Sequence, residues 1–260
     1  MRVNKAKIQR SFANASLTYD GVATLQRTVG EALLLLLDAN KITGTVLDLG
    51  CGTGFLTGEL IKQSSYKTLL ALDIALPMLQ ATQDKLTNET NINYICADAE
   101  HLPFAAQSID SVFSNLALQW CSHLDCVFTD IKRTLKPEGQ LVFSTFGSQT
   151  LQELKMAWST VDSYHHVNAF YNQAQINQHL KQAGFTNIKI KSTVFTSRYD
   201  SVWTLMKELK QLGAQHVIVG RNNKTTTKTA MQKMIAAYEK YKVSDQIPAT
   251  FEVISVIAKV

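Results

Sequence analysis

The seven residues Asp48-Leu49-Gly50-Cys51-Gly52-Thr53-Gly54 constrain the fold of this chain more than any other stretch. They follow the apolar pair Val46-Leu47 and lead into Phe55-Leu56-Thr57-Gly58-Glu59-Leu60-Ile61, so the local order is strand, glycine turn, helix. Glycines at alternate positions permit a tight bend and let backbone approach a ligand without a Cβ in the way. The helix start that follows points unpaired N–H groups at whatever occupies the bend. A dinucleotide fingerprint needs its third glycine at position 55, which is Phe55. The spacing is therefore G-x-G-x-G.

Strand and helix patterns alternate after an N-terminal helical region over about residues 3–38. Thr45–Leu49, Thr68–Ile74, Ile92–Ala97, Ser108–Asn115 and Gln140–Phe146 are short apolar or β-branched runs that read as strands. One helix is expected from Pro77, and another over Leu124–Leu135, ending before the breaker cluster Pro137-Glu138-Gly139. Alternation of this kind gives an α/β fold, a parallel sheet with helices on both faces. Ile188–Thr196 and Phe251–Val260 are two further strand candidates, and Asp200–Gly213 and Thr226–Lys242 read as helices. The expectation is one domain over 1–260, with an N-terminal helical cap over about 1–40. Insertions over about 147–172 and 198–248 form a lid over the strand ends, where α/β sheets bind ligands.

Composition excludes several classes. The chain has 260 residues, 45% hydrophobic and 18% charged, which describes a globular core rather than a disordered polymer. No apolar run approaches the roughly 20 residues that cross a bilayer. The longest, Ala32 to Leu37, reads as a buried helix face. Basic Met1 to Arg10 leads into no signal-peptide core, so a cytoplasmic location is expected. Cys51, Cys96, Cys121 and Cys126 form no C-x-x-C pair and read as buried small hydrophobes rather than metal ligands. Charge is uneven: residues 1–180 hold 13 Lys and Arg against 16 Asp and Glu, whereas residues 181–260 hold 13 against 5. The basic last third suits an acidic partner or a solvated surface equally well.

With an acid two residues ahead of its first glycine, the turn resembles motif I of the class I S-adenosylmethionine-dependent methyltransferases. Such a Rossmann-like sheet is mostly parallel and seven-stranded, with the last strand antiparallel. The cofactor has an adenine, a ribose diol and a charged methionine tail, and the chain has a candidate for each. Gly50, Cys51 and Gly52 allow close backbone approach, and Asp48 suits the tail ammonium. Asp73, followed by Ile74, ends the second strand 19 residues past Gly54, where a carboxylate can accept both ribose hydroxyls. Asp98-Ala99 ends the third strand, beside the adenine, and Asn115-Leu116 ends the fourth, beside the reacting centre. Each acid alone is weak, since acids also cap helices. NAD binding stays open, because an acid after the second strand also serves that ribose. Asp110 reads as structural. Ser114-Asn115-Leu116-Ala117-Leu118-Gln119-Trp120 lacks the proline-rich run of amino-methylating nucleic-acid enzymes, and no nucleic-acid-binding module is present.

Nearly end to end, the chain resembles the malonyl-[acyl-carrier protein] O-methyltransferase family, the BioC enzymes of biotin synthesis. The resemblance rests on Ser11-Phe12, Tyr19-Asp20, Leu25-Gln26, Leu47–Gly54, Ser114–Cys121 and Phe143–Phe146. It continues through Leu151–Leu154, Val161-Asp162, His166-Val167-Asn168 with Phe170, Leu209–Ala214 and Gly220-Arg221. The family often has Arg where this chain has Ala169. The resemblance implies methylation of the free carboxylate of a malonyl thioester on acyl-carrier protein, with malonyl-CoA as a related acceptor. Nucleic acid and membrane are not expected partners. A carboxylate is ionised at neutral pH and needs no general base, so the working groups are expected to be positioners. Tyr19 is the catalytic candidate and, with Gln26, part of the cofactor site. Gln119, Trp120, Phe146, His166, Asn168, Lys210 and Arg221 are the substrate candidates. Lys and Arg of residues 181–260, with Arg2, Lys5, Lys7 and Arg10, are expected to form a carrier-docking face. A small-molecule methyltransferase acting on a quinone precursor or polycarboxylate, and a cofactor-binding subunit without turnover, share the same cofactor pattern.

Overall fold

Strand β1 (Thr43–Leu49) holds the middle of the sheet because its apolar residues leave no polar face: Val46, Leu47 and Leu49 are all fully buried. Strands buried on both sides in this way belong to parallel sheets covered by helices. The computed structural model describes residues 4–36, 42–63, 65–214 and 226–260. In chain order β2 (Ser65–Asp73), β3 (Ile92–Cys96), β4 (Ile109–Asn115), β5 (Leu135–Phe146), β6 (Thr186–Tyr199) and β7 (Ile247–Lys259) follow. Their spatial order is β3-β2-β1-β4-β5-β7-β6. The first five run parallel, and β7 runs antiparallel to both β5 and β6. The chain is thus the seven-stranded sheet with an antiparallel last strand expected from its sequence.

Three N-terminal helices come first, α1 (Lys5–Ala15), α2 (Tyr19–Val22) and α3 (Thr24–Leu34). Helices α4 (Phe55–Gln63), α5 (Leu76–Lys85) and α6 (Leu124–Thr134) then cross between strands. Helix α6 buries Leu124, Val127, Phe128 and Ile131, the i, i+3, i+4, i+7 stripe that lays a helix on a sheet. It packs on Val112, Leu141 and Phe143, while Leu33, Leu56 and Leu60 of α3 and α4 cover Val46, Phe113 and Val142 on the other face. After β5 come α7 (Gln152–Ser159) and α8 (Gln173–Gln182), the latter opened by a reciprocal Asn172–Gln175 capping box. Helices α9 (Val202–Gln211) and α10 (Lys228–Tyr238) lie between β6 and β7. With α7 they form a separate apolar cluster on Phe251 that includes Leu154, Trp158, Leu205 and Tyr238.

Three details depart from the sequence reading. Helix α3 ends at Leu34, so Leu35 and Leu36 of the apolar run are exposed, Leu35 by 86%. Pro137-Glu138-Gly139 does not separate α6 from β5 but lies inside β5, where the β4 register slips and Glu138 takes φ 63°. A bulge absorbs the breaker residues there without ending the strand. Cys96 and Cys126 are exposed, unlike Cys51, and Cys121 is half-buried. Asp110 is structural as expected: Lys136 Nζ donates to it at 2.7 Å, and so does the Thr45 N–H. Among the described residues no helix is long and apolar enough to cross a membrane.

Candidate active site

The glycine turn folds directly against the end of β2. Gly50 has φ +77°, and a Cβ there would lie 2.4 Å from that of Ala117, so only glycine fits. Gly52 has φ +57° and faces open space, and its N–H donates to Asp73 Oδ2 at 3.0 Å. Asp73 Oδ1 accepts from the Ala75 N–H at 2.8 Å. Burial raises the Asp73 pKa above the usual carboxylate range even with these donors. Each of its oxygens keeps acceptor capacity toward the cleft.

Asp48 is buried, and burial raises its pKa to about 7, although Thr57 Oγ1 donates to its Oδ2 at 2.6 Å. Its Oδ1 has no partner among the described residues, and neither does the buried Gln26 Oε1. Both line one small polar recess with Tyr19, Gly52 and Asn115. Two orphaned buried acceptors in one recess are costly unless a donor fills it. An ammonium group supplies that donor, so the residues present fit the aminoacyl tail of an adenosyl sulfonium.

Beyond the glycine turn a cleft of about 100 Å³ runs past Asp73, Ile74, Asp98, Ala99 and Leu116 under a roof from α1. Ile8 and Phe12 supply its apolar face. Lys5 pairs with Asp98, and with Glu100 at 2.8 Å. Burial opposes the charge, but the two carboxylates hold the Lys5 ammonium above its ordinary pKa. Gln9 Nε2 donates to the Ile74 carbonyl at 2.9 Å. Tyr19 is half-buried between cleft and recess and packs with Ala15 and Met78. Burial, then Asp73, pushes its hydroxyl pKa well up, so it stays a donor at neutral pH. Neighbouring Asp20 clamps this cap to the turn, accepting from Thr53 Oγ1 at 2.6 Å and pairing with Lys85. Lys5 is therefore a roof tie of this cleft and no free docking cation.

Asn115 lines both spaces, yet its side chain is committed: Nδ2 donates to the Gln26 carbonyl at 2.8 Å, and Oδ1 accepts from Ser144 Oγ at 2.7 Å. It holds α3 against β5 rather than offering an amide to the reacting centre. Leu116 takes the left-handed φ of 49° and turns the chain into Leu118–Trp120. Gln119 Nε2 is likewise held, donating to the Leu116 carbonyl.

Trp120 walls both the cleft and a chamber of about 250 Å³ on the acceptor side. Phe146, His166, Asn168, Leu154, Trp158 and Met206 are among the chamber's lining. His166 stacks on Trp158 with ring centroids 3.7 Å apart, and its Nε2 lies 2.8 Å from Asp162 Oδ1. Asn168 Oδ1 is buried and unpartnered among the described residues. A second recess of about 230 Å³ lies across Phe146 and Phe170 and includes Gln119, Thr145 and Ala169. Neither space is lined by an Asp, Glu, Lys or Arg among the described residues.

Lys210, a substrate candidate, is exposed on α9 and does not line the chamber. Its neighbours Met206 and Leu209 point inward instead. Arg221 and Arg2 lie outside the described residues. Sequence reasoning missed the ties made by Lys5, Glu100, Asp20 and Ser144. It also missed Lys155, a half-buried cation 5.6 Å from the Phe170 ring centroid whose Nζ donates to the Ser148 carbonyl. Burial holds the Lys155 pKa below its ordinary value.

Sheet order, glycine turn and strand-end acids together define a class I methyltransferase, and a family model described as a methyltransferase domain matches residues 47–143. The chain belongs to the malonyl-[acyl-carrier protein] O-methyltransferase family. It is 40% identical to the Methylococcus capsulatus protein of that name over 251 residues, covering 96% of this chain and 91% of the relative. It is also 38% identical to the biotin biosynthesis bifunctional protein BioHC of Cellvibrio japonicus, covering 96% of this chain and 49% of that one. Its fold matches Haemonchus contortus phosphoethanolamine N-methyltransferase 2, solved with S-adenosyl-L-methionine, with a TM-score of 0.58 at 17% identity. That match covers 95% of this chain and 57% of the other.

Proposed function

We propose that this protein methylates the free carboxylate of a malonyl thioester on acyl-carrier protein, a step of biotin synthesis, with S-adenosyl-L-methionine as donor. The observation that carries the reading is the junction at Trp120, where the cofactor cleft meets an acceptor chamber whose described walls bear no carboxylate and no Lys or Arg. Such walls do not repel an anionic acceptor. A carboxylate also needs no base, and His166, the one titratable group lining the chamber among the described residues, already faces Asp162. Bound S-adenosyl-L-methionine supplies an electrophilic methyl on a positively charged sulfur. The chain's part is positional. Asp48 and Gln26 hold the ammonium, Asp73 the ribose, and Asp98 with Ala99 the adenine edge. Tyr19 closes over the recess, and Trp120 and Phe146 exclude water from the acceptor side. Orientation of this kind accounts for large accelerations without acid–base chemistry.

Helix α9 connects chamber and surface. Met206 and Leu209 line the chamber, while Trp203, Lys207 and Lys210 face outward, Trp203 with 59% exposure. An acidic carrier protein docking on this face brings its thioester arm to the chamber. The test is mass spectrometry of malonyl-loaded carrier incubated with protein and donor. A gain of one methylene unit is expected, and an unchanged mass rejects the reading. Tyr19→Phe keeps donor affinity within a fewfold but slows turnover if the hydroxyl orients the methyl; unchanged turnover removes Tyr19 from that role.

A further inference from the structure

The roof of the cofactor cleft reaches across to the acceptor side. Phe12 of α1 lines the cleft, and its ring meets Trp120 edge-on with centroids 5.3 Å apart. Trp120 in turn walls both the cleft and the chamber. Phe12 is also backed by the segment after α9. A Cβ on Gly213 would lie 3.0 Å from the Ser11 carbonyl oxygen and 3.3 Å from the Phe12 ring. Leu209 and Ala214 of that same segment line the chamber. Thr18 Oγ1 extends the junction, donating to the Gln211 carbonyl at 3.1 Å. The helix that carries Phe12 is lightly anchored. Of its 11 residues α1 buries only Ile8 and Ala15, and its polar ties to the strand ends are the Gln9 hydrogen bond and the partly exposed Lys5 pairs.

We infer that Phe12 is a positioning residue that couples the two halves of the active site: α1 closes on an occupied cleft, Phe12 then fixes Trp120, and the acceptor meets a wall already in place. The inference rests on the reading of donor and acceptor above. An adenosyl group beneath Ile8 and Phe12 buries apolar surface that α1 cannot bury alone, so occupancy favours the closed roof. Ordering Trp120 costs rotamer freedom, and that cost falls on whichever ligand binds first. Acceptor affinity should therefore rise when the donor site is filled. By linkage, donor-site affinity should rise by the same factor when acceptor is bound. A single edge-to-face ring pair suffices for a factor of about five.

The test is calorimetric titration of the full chain with S-adenosylhomocysteine, the demethylated donor, and with the malonyl thioester of pantetheine. Each is titrated alone and with the other saturating; nothing turns over, so binding is the only readout. In the wild type each ligand should tighten the other about fivefold. Phe12→Leu should bring that factor close to one, whatever it does to either affinity alone. Trp120→Leu removes the same ring pair from the other side and should do likewise, so the test survives if one variant does not fold. Ile8→Val trims the same roof without altering the ring pair; it should weaken S-adenosylhomocysteine binding and keep the factor, which a merely structural role for Phe12 does not predict. A wild-type factor of one, or a factor that survives loss of the ring pair, overturns the inference and leaves the malonyl reading intact. S-adenosylhomocysteine bound without any binding of the malonyl thioester, malonyl-loaded carrier included, overturns both.

Discussion

At the scale of single residues the proposed cofactor site contains buried acceptors awaiting donors, Asp48 Oδ1 and Gln26 Oε1. Asp48 shows the consequence most directly. Its pKa near 7 means that cofactor binding must ionise it, so affinity should fall as pH drops below that value, by about tenfold between pH 8 and pH 6. The sign for the free protein is the reverse. A carboxyl raised from 3.8 to about 7 contributes stability below pH 4 that is lost as pH rises through 7. The thermal shift produced by the cofactor should therefore be larger at pH 8 than at pH 6, and Asp48→Asn should abolish the difference in calorimetric titrations. Asp73→Asn keeps the shape but removes a charged acceptor, and should weaken cofactor binding by about 10- to 100-fold. Glycine spacing and acids at strand ends made these residues legible in the sequence, because each sits a fixed distance behind its own strand. Lys5 and Asn115 were not legible. Their partners, Asp98 and Gln26, lie 93 and 89 positions away, and nothing local marks a tie of that range.

At the scale of elements, apolar runs foretold every strand, with ends off by a few residues where side chains at the sheet rim meet solvent. The capping box of α8 lies between the acceptor loop and β6, so it sets where the helix begins. Asn172→Ala should cost about 1 kcal/mol, seen as a fall of ~2–4 °C in Tm. Two misreadings have physical causes. Six consecutive apolar residues suggested burial for Leu35 and Leu36, but the helix ends before them and the sheet face is already filled by Leu33 and Leu34. Pro137 and Gly139 suggested a turn, but a parallel strand tolerates them where its register slips. The segments around the chamber were legible as surplus length between strands and, over Asp200–Gly213 and Thr226–Lys242, as two helices, which α9 and α10 match. The joining of α7 to α9 and α10 around one chamber depends on contacts among segments some fifty residues apart, beyond any periodicity.

At the scale of the molecule, charge separates by region, with the excess of cations confined to residues 181–260. If α9 receives the carrier, raising ionic strength should raise KM for carrier-bound acceptor while leaving KM for the pantetheine thioester flat. Lys207→Glu combined with Lys210→Glu should do the same at low salt, measured by steady-state kinetics with both acceptors; equal effects on both would remove α9 as the docking face. The placement of β7 has a further consequence. It comes last of the seven strands in chain order, yet it fills a slot between β5 and β6 and carries Phe251 into the chamber wall. Until it emerges from the ribosome, two neighbouring strands lack their shared partner and the lid helices lack their anchor. The β5 edge therefore waits through synthesis of residues 147–246, and the β6 edge from residue 200 on, an interval in which unpaired strand edges favour misassociation.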